Sequence, residues 1–209
     1  MTDLPSLTEA IQRGDRTEAT RLTQEAIDTS ATAQTILDAL VAGMDDLGRR
    51  FKASEVFVPD VLLAARAMKQ SMALLEPLLL ESGITPEFTA VIGTVEGDLH
   101  DVGKSLVAMM WTGARFDVVD LGTNVTPQQF AQAAKDRGAR LVGLSALLTT
   151  TLPAMKASVQ AIRDLELEGV KLVVGGAPVT QAYADRIGAD GYAPDAATAV
   201  EVARTLVGA

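Results

Sequence analysis

Beyond residue 88 the sequence changes period five times in the same way. A short β-rich run gives way to a helical one: "AVIGTV" to "GKSLVAMMWTGAR", "FDVVDLG" to "TPQQFAQAAKDRG", "LVGLSAL" to "LPAMKASVQAIRDLELEG", "KLVVGGA" to "TQAYADRIG", and "ADGYA" to "DAATAVEVARTLVG". Repeated strand–helix alternation leaves few solutions. Each helix returns the chain to the same end of a sheet, so the strands run parallel and helices cover both faces. Right-handed crossovers then predict an open, doubly wound α/β sheet of the flavodoxin or Rossmann type. For five strands the expected order is 2-1-3-4-5.

Residues 1–84 follow another grammar and predict helices only. Ser6-x-x-Glu9 reads as a capping box for a short helix that ends near Gly14. Asp15 caps "RTEATRLTQEAIDT". A third helix, "TAQTILDALVAGMDDLGRRF", carries Ile36, Leu37, Leu40, Val41, Met44 and Leu47 on one stripe. A fourth begins at Pro59 and is expected to be kinked or ended early by Pro77, with Gly83 as the final stop. Met68 and Met72 have the spacing of core residues. The organisation predicted is a four-helix bundle domain over 1–84 and a five-stranded domain over 88–209.

Charge narrows the function. The 209 residues hold 18 Lys and Arg against 27 Asp and Glu, a net charge of −9. That disfavours nonspecific nucleic-acid binding, whose affinity comes from cations at phosphates. No apolar run approaches the ~18 residues of a membrane span. "MTDLPSLTEAIQRGD" lacks the regions of a signal peptide, so a cytoplasmic protein is expected. The chain has no cysteine, which excludes disulfides and thiolate ligands.

In open α/β sheets ligands bind beyond the carboxyl ends of the strands, where strand order reverses, here between strands 1 and 3. Strand 1 leads into Gly97-Asp98-Leu99-His100-Asp101-Val102-Gly103, which contains the only histidine of the chain. Strand 3 ends in Ser145-Ala146-Leu147, followed by Thr149, Thr150 and Thr151. Strand 4 ends in Gly175-Gly176-Ala177-Pro178. Taken singly these have ordinary explanations: a solvated histidine, a turn, hydroxyl caps. Their convergence on the one edge where this fold places ligands points to a site.

The residue types discriminate among chemistries. Zinc requires three or four protein ligands. A Ser–His–Asp triad built on Ser145 lacks the G-x-S-x-G elbow. Gly103-Lys104-Ser105 resembles the tail of a phosphate loop, but its first glycine is replaced by Asp98. A phospho-acceptor domain would need a lysine after strand 5, which "GYAPDA" does not supply. One chemistry does use a single imidazole: a metal whose other ligands come from a macrocycle. Asp98 could then hydrogen-bond the distal imidazole nitrogen and fix the tautomer. Glycines 103, 175 and 176 would let backbone approach a large flat ligand. The pattern predicts a tetrapyrrole-like cofactor and leaves haem and corrinoid both open.

Asp98-x-His100-x-x-Gly103, then 41 residues, Ser145-x-Leu147, then 27 residues, Gly175-Gly176, resembles the cobalamin-binding signature of corrinoid proteins. The helical half is similar to the cap domain of methionine synthase and of the corrinoid subunits of anaerobic methyltransferases. "FVPDVLLAARAMKQSMALLEPLL" matches the segment leading from that cap to the cofactor domain. "GLSALLTTTLPAMK", "VVGGAPVTQAYADRIGADGYAPDAA" and "DLGTNVTPQQF" are most similar to short stand-alone methyltransferase corrinoid proteins. The resemblance implies cobalamin or a related corrinoid, methylcobalamin in the loaded state. It makes His100 the lower axial cobalt ligand, in place of the cofactor's own dimethylbenzimidazole. Asp98 would hydrogen-bond His100, and Thr151 would complete the relay where methionine synthase has serine. Ser145, Leu147, Gly175 and Gly176 would line the slot for the displaced nucleotide tail. Leu99, Asp101, Val102, Gly103, Thr149 and Ala177 complete the cofactor-binding set. Phe51 and Val58 fall where the cap covers the upper, methyl-bearing face, Val58 replacing a bulkier leucine.

The same resemblance implies a methyl carrier, a non-catalytic corrinoid subunit active only in complex. Cob(I) would take a methyl group from a donor on a donor-specific methyltransferase. An acceptor methyltransferase would pass it to a tetrahydrofolate or a thiol, and a reductive activase would restore the carrier. No nucleic-acid or membrane partner is expected. Changes at cobalt would couple to proton uptake through Asp98 and His100, and the two halves would hinge near Ser82–Phe88. The alternative is a cobalamin-dependent sensor. Such proteins usually add a DNA-binding module, and some cover the cofactor with a tryptophan. The only tryptophan, Trp111, falls in the first helix of the α/β half and is expected to pack there.

Overall fold

The computed structural model describes residues 3–86 and 88–208. Residues 1, 2 and 209, at the ends of the expected segments, and Glu87, inside the expected hinge Ser82–Phe88, lie outside the described residues. The chain divides into two compact units. One runs to Pro86 and takes in Gly113–Arg115; the other holds the remainder.

The helical unit consists of α1 (Leu4–Gln12), α2 (Arg16–Asp28), α3 (Ala33–Lys52) and α4 (Val58–Glu81). Helix α1 begins earlier than the Ser6-x-x-Glu9 box implies. Asp3 is its cap, accepting from the Ser6 N–H at 3.1 Å and the Ser6 hydroxyl at 2.6 Å. The carboxylate takes both Ser6 donors, and Pro5 suits a first turn. Asp15 caps α2 as expected, accepting from Glu18 N–H at 3.0 Å. Helix α4 continues through Pro77 to Glu81. An interior proline removes one backbone bond, but Pro77 stands near the exposed end of a 24-residue helix whose inner face is well buried. Leu7, Ile11, Ile36, Leu37, Leu40, Leu47, Met68 and Leu75 form the core, while Met72 is only half-buried. Gly43 lets α1 lie close on α3: a Cβ there would stand 2.8 Å from the Ile11 side chain.

The second unit alternates β1 (Phe88–Thr94), α5 (Val102–Gly113), β2 (Phe116–Asp120), α6 (Pro127–Asp136), β3 (Leu141–Ser145), α7 (Leu152–Arg163), β4 (Lys171–Gly175), α8 (Gln181–Ile187), β5 (Gly191–Ala193) and α9 (Ala196–Val207). The strands are all parallel and in the expected order 2-1-3-4-5. The sequence overextends α7, which ends at Arg163 and not at Gly169. "DLELE" keeps helix-forming residues but loses an apolar stripe to bury, and Leu165 is exposed. Arg163 closes the end instead, donating to Gly188 O at 3.0 Å and pairing with Asp190 at 2.7 Å.

Val91, Val142, Leu144, Leu172 and Val174 pack with Phe130, Met155, Val159 and Ile162 in one cluster of this unit's core. Trp111 is fully buried, and its indole N–H donates to Ala199 O at 3.0 Å. Gly143 makes room for the ring, since a Cβ there would stand 2.7 Å from it. The tryptophan therefore serves packing. No helix among the described residues is long and apolar enough to cross a membrane.

Candidate functional site

The register sets Thr94, Ser145, Gly175 and Ala193 in one row across the carboxyl end of the sheet. The three segments singled out in the sequence leave from this row. After β1 the chain turns through Gly97, which is left-handed at φ 81°, and drops Asp98 into the interior.

Asp98 is fully buried and surrounded by donors. Its Oδ1 accepts from the His100 N–H at 3.0 Å and lies 2.7 Å from the His100 ring Nδ1. Its Oδ2 accepts from Leu147 N–H at 2.7 Å, Leu148 N–H at 3.3 Å and the Thr151 hydroxyl at 3.1 Å. Burial alone would raise the carboxyl's pKa. The hydrogen bonds from the His100 and Leu147 amides, the ring and Thr151 outweigh it and hold Asp98 well below the usual carboxylate range. An ionised carboxylate only accepts, so the neutral ring carries its proton on Nδ1 and presents a lone pair on Nε2. Among the described residues Nε2 has no hydrogen-bond partner, and the side chain is 51% exposed. The backbone of His100 is fixed as well, because the buried Thr94 hydroxyl donates to its carbonyl at 2.8 Å.

The Thr151 hydroxyl lies between two acceptors, Asp98 Oδ2 and Leu148 O at 2.9 Å. It has one proton and serves one of them at a time.

The surface around Nε2 suits a broad apolar ligand. Leu99 and Val102 are each 74% exposed, and Leu147 and Leu148 are the exposed apolar residues after β3. Gly103, in the first turn of α5, faces open space: a Cβ there would meet no atom within 4 Å. Gly175 and Gly176 differ from it. A Cβ on Gly175 would stand 2.8 Å from Ala193 O, and one on Gly176, at φ 124°, 1.8 Å from Ala146 O. Their smallness is required by the chain's own packing. Thr149 and Ala177 are exposed at this edge, and Ser145 is half-buried.

Asp101 meets Lys104 Nζ at 2.7 Å. Lys104 is itself buried and reaches both carboxylate oxygens of Asp120 at 2.6 Å. Burial opposes its charge, yet the two carboxylates keep its pKa above the ordinary lysine value; Lys104 in turn lowers that of Asp101. The lysine that resembles a phosphate-loop tail is thus engaged within the protein.

Phe51 lies in the last turn of α3 and Val58 opens α4, both half-buried in the helical unit. Phe57, beside them, is 66% exposed and was not singled out in the sequence. Its only sequence signal is an apolar residue at a helix start. Thr94, Asp120, Asn124 and Leu148 were also not identified, and Lys104 was read only as part of an incomplete phosphate-loop tail. All act through hydrogen bonds that leave no periodic trace.

Among the described residues no group of three or more His and carboxylate side chains could hold a metal ion unaided. The donor set is one imidazole over an apolar floor, which fits a metal that arrives with its own equatorial ligands.

Comparison with known proteins identifies that ligand. Residues 88–201 match the B12 binding domain family, and residues 4–76 match a second family of the same description. A corrinoid protein of Desulfitobacterium hafniense is 39% identical, the alignment covering 100% of this chain and 99% of that one. Dimethylamine corrinoid protein 1 of Methanosarcina acetivorans is 42% identical over 84% of this chain and 83% of its own length. Among solved structures, a cobalamin-binding protein from Desulfitobacterium hafniense superposes with a TM-score of 0.83 at 29% identity, covering 99% of this chain and all of that one. A chain of the methanol:cobalamin methyltransferase complex from Methanosarcina barkeri gives 0.84 at 27% identity, over 97% of this chain and 78% of that one. The chain belongs to the B12-binding family, among the corrinoid proteins akin to those of methyltransferase systems, and its cofactor is a corrinoid.

Proposed function

We propose that this protein is a methyl carrier that binds its corrinoid base-off with His100 as the lower axial ligand. The observation that carries the reading is the only histidine, its Nδ1 held by a buried carboxylate and its half-exposed ring flanked in the chain by the exposed Leu99 and Val102. When bound, the corrinoid supplies a cobalt centre that accepts and releases a methyl group.

The protein's residues do the rest. His100 gives cobalt one nitrogen. Asp98 fixes the tautomer and raises the basicity of the ring. Thr151 satisfies Asp98, its hydroxyl lying between Oδ2 and Leu148 O. Leu99, Val102, Leu147 and Leu148 exclude water from the lower face, and Gly103 allows close approach. Ser145, Thr149, Gly175, Gly176 and Ala177 form the edge along which the nucleotide tail lies. The role expected of Phe51 and Val58 at the upper face belongs to the same proposal.

The relatives named for dimethylamine and the methanol methyltransferase complex support a carrier served by a donor-specific methyltransferase. An acceptor methyltransferase and a reductive activase complete the cycle. The sensor reading loses its cap tryptophan, because Trp111 is committed to the core.

The test is reconstitution with hydroxocobalamin, desalting, and comparison of visible spectra for wild type and His100→Ala. Wild type is expected to retain cobalamin with a base-off, His-on spectrum that changes in the variant. Loss of the corrinoid on desalting, or identical spectra, would refute axial ligation by His100.

A further inference from the structure

The Asp98 side chain is held by the turn after β3, but the backbone of the histidine loop is held by β2. Asn124, left-handed at φ 55°, accepts from Gly97 N–H on its Oδ1 at 2.8 Å. Its own N–H donates to Asp98 O at 3.0 Å. On the other side of the histidine, Asp120 ends β2 and binds Lys104, which binds Asp101. The β2–α6 loop is in turn stitched to β1. Gly122 N–H donates to Asp120 Oδ1 at 2.9 Å, Thr94 N–H to Gly122 O at 2.9 Å, and Val125 N–H to Thr94 O at 2.9 Å.

Such an arrangement is costly unless it is used. Lys104 is only 3% exposed, and burying an ammonium carries a large desolvation penalty that paired carboxylates must offset. A non-glycine residue at positive φ is also disfavoured, asparagine least among them. Asp120, the partner of that lysine, and Asn124 both belong to the end of β2 and the loop after it, and they grip the two flanks of the same histidine.

We infer that Asn124, Asp120 and Lys104 are positioning residues for His100: they clamp Gly97–Asp98 and Asp101 to the end of edge strand β2 and so set the tautomer and direction of the imidazole. The inference rests on the reading of His100 as the axial ligand. The clamp acts through Asp98: if Gly97 and Asp98 shift, the carboxylate no longer meets Nδ1, and the ring is free to place its proton on Nε2. The lone pair would then lie on Nδ1, and Nε2, the nitrogen that would hold a metal, would carry a hydrogen.

The single histidine makes this measurable without cofactor. Protein labelled with [15N]histidine gives one imidazole in a long-range 1H–15N correlation spectrum. At about pH 8.5, above the ordinary titration range of imidazole, wild type is expected to show the Nδ1–H tautomer. Asn124→Gly removes the amide and keeps a backbone that glycine adopts readily. Asp120→Asn weakens the grip on Lys104. Both are expected to move the ring toward the Nε2–H tautomer and to weaken hydroxocobalamin binding about tenfold, the lower end of the range for outer residues of a metal site.

Arg163→Met breaks the ion pair with Asp190 at the opposite end of the sheet. It should leave the ring signal unchanged even where it lowers stability. Wild-type tautomer and affinity in both clamp variants would overturn the inference. If Asp120→Asn fails to fold, Asn124→Gly alone decides, since it removes one hydrogen bond at a tolerated φ. A wild-type ring signal that does not respond to hydroxocobalamin would defeat the axial-ligand reading instead, and the cofactor-free spectra would still decide the clamp.

Discussion

Replacing Asp98 by asparagine keeps the shape of the side chain and turns one acceptor into a donor. If the NH2 takes the place of Oδ2, it faces the amides of Leu147 and Leu148 and the hydroxyl of Thr151. If it replaces Oδ1, it faces the His100 amide at 3.0 Å and the ring nitrogen at 2.7 Å. The second arrangement loses fewer bonds, because the ring can accept at Nδ1 by moving its proton to Nε2. It still leaves the part-buried His100 amide without its acceptor, at about 1–3 kcal/mol, and removes charge assistance worth roughly 1 kcal/mol from each of the two stronger bonds at Oδ2. The sum is about 3–5 kcal/mol, a fall in Tm on the order of 10 °C for a protein of this size. Trp111, the only tryptophan and fully buried in the sheet unit, reports unfolding of that unit by fluorescence. The pH dependence carries the sign. Asp98 has a depressed pKa in the folded state, so its contribution is present above the unfolded value of about 3.9 and is lost as pH falls through the folded value. Urea denaturation should therefore show the full gap between wild type and Asp98→Asn at pH 5–7, narrowing below about pH 4. A gap under about 1 kcal/mol, or one that does not change with acidity, would refute the account of Asp98 as a buried, ionised acceptor.

Thr151→Val removes the hydroxyl donor to Asp98 and is expected to cost about 1–2 kcal/mol, whereas Thr151→Ser keeps it and stays within about 1 kcal/mol of wild type; Trp111 fluorescence in urea distinguishes them. The two kinds of glycine at the site should separate cleanly. Gly176→Ala drives a Cβ against the Ala146 carbonyl at a φ that alanine avoids, and the loss should exceed about 3 kcal/mol, read as a collapse of Tm or of soluble yield. Gly103→Ala meets open space in a helix and should leave the apoprotein as stable or up to about 1 kcal/mol more so, while cobalamin retention after desalting falls. Equal retention in Gly103→Ala and wild type would show that no ligand approaches there.

The sheet was legible because each strand run is bounded by a change of period, and right-handed crossovers leave one economical order for five parallel strands. The errors lie where two local signals compete. Ser6 reads as the cap in the sequence, and only the structure shows the Asp3 carboxylate taking both Ser6 donors. "RDLELE" has helical residues without an apolar face, so the sequence carries α7 past the point where tertiary burial ends it. At the site the pair Asp98 and His100 was readable since both lie in one loop, two residues apart. Thr151 meets Asp98 across 53 positions and Asn124 meets Gly97 across 27, and no local pattern encodes such bonds. Resemblance supplied Thr151; nothing in the sequence supplied Asn124 or Asp120.

The glycines carry this distinction furthest. In the sequence Gly103, Gly175 and Gly176 make the same demand, that something approaches the backbone closely. In the fold the last two are filled by Ala193 and Ala146 of the chain itself, and only Gly103 is left facing space. It stands three residues beyond His100 on the turn that also exposes Val102, with Leu99 on the other side of the histidine. A side chain is therefore missing on the same surface where a nitrogen lone pair and apolar groups are left uncovered. What the fold does not use there is what a flat, metal-bearing ligand needs: one nitrogen, an apolar floor, and no Cβ in the way.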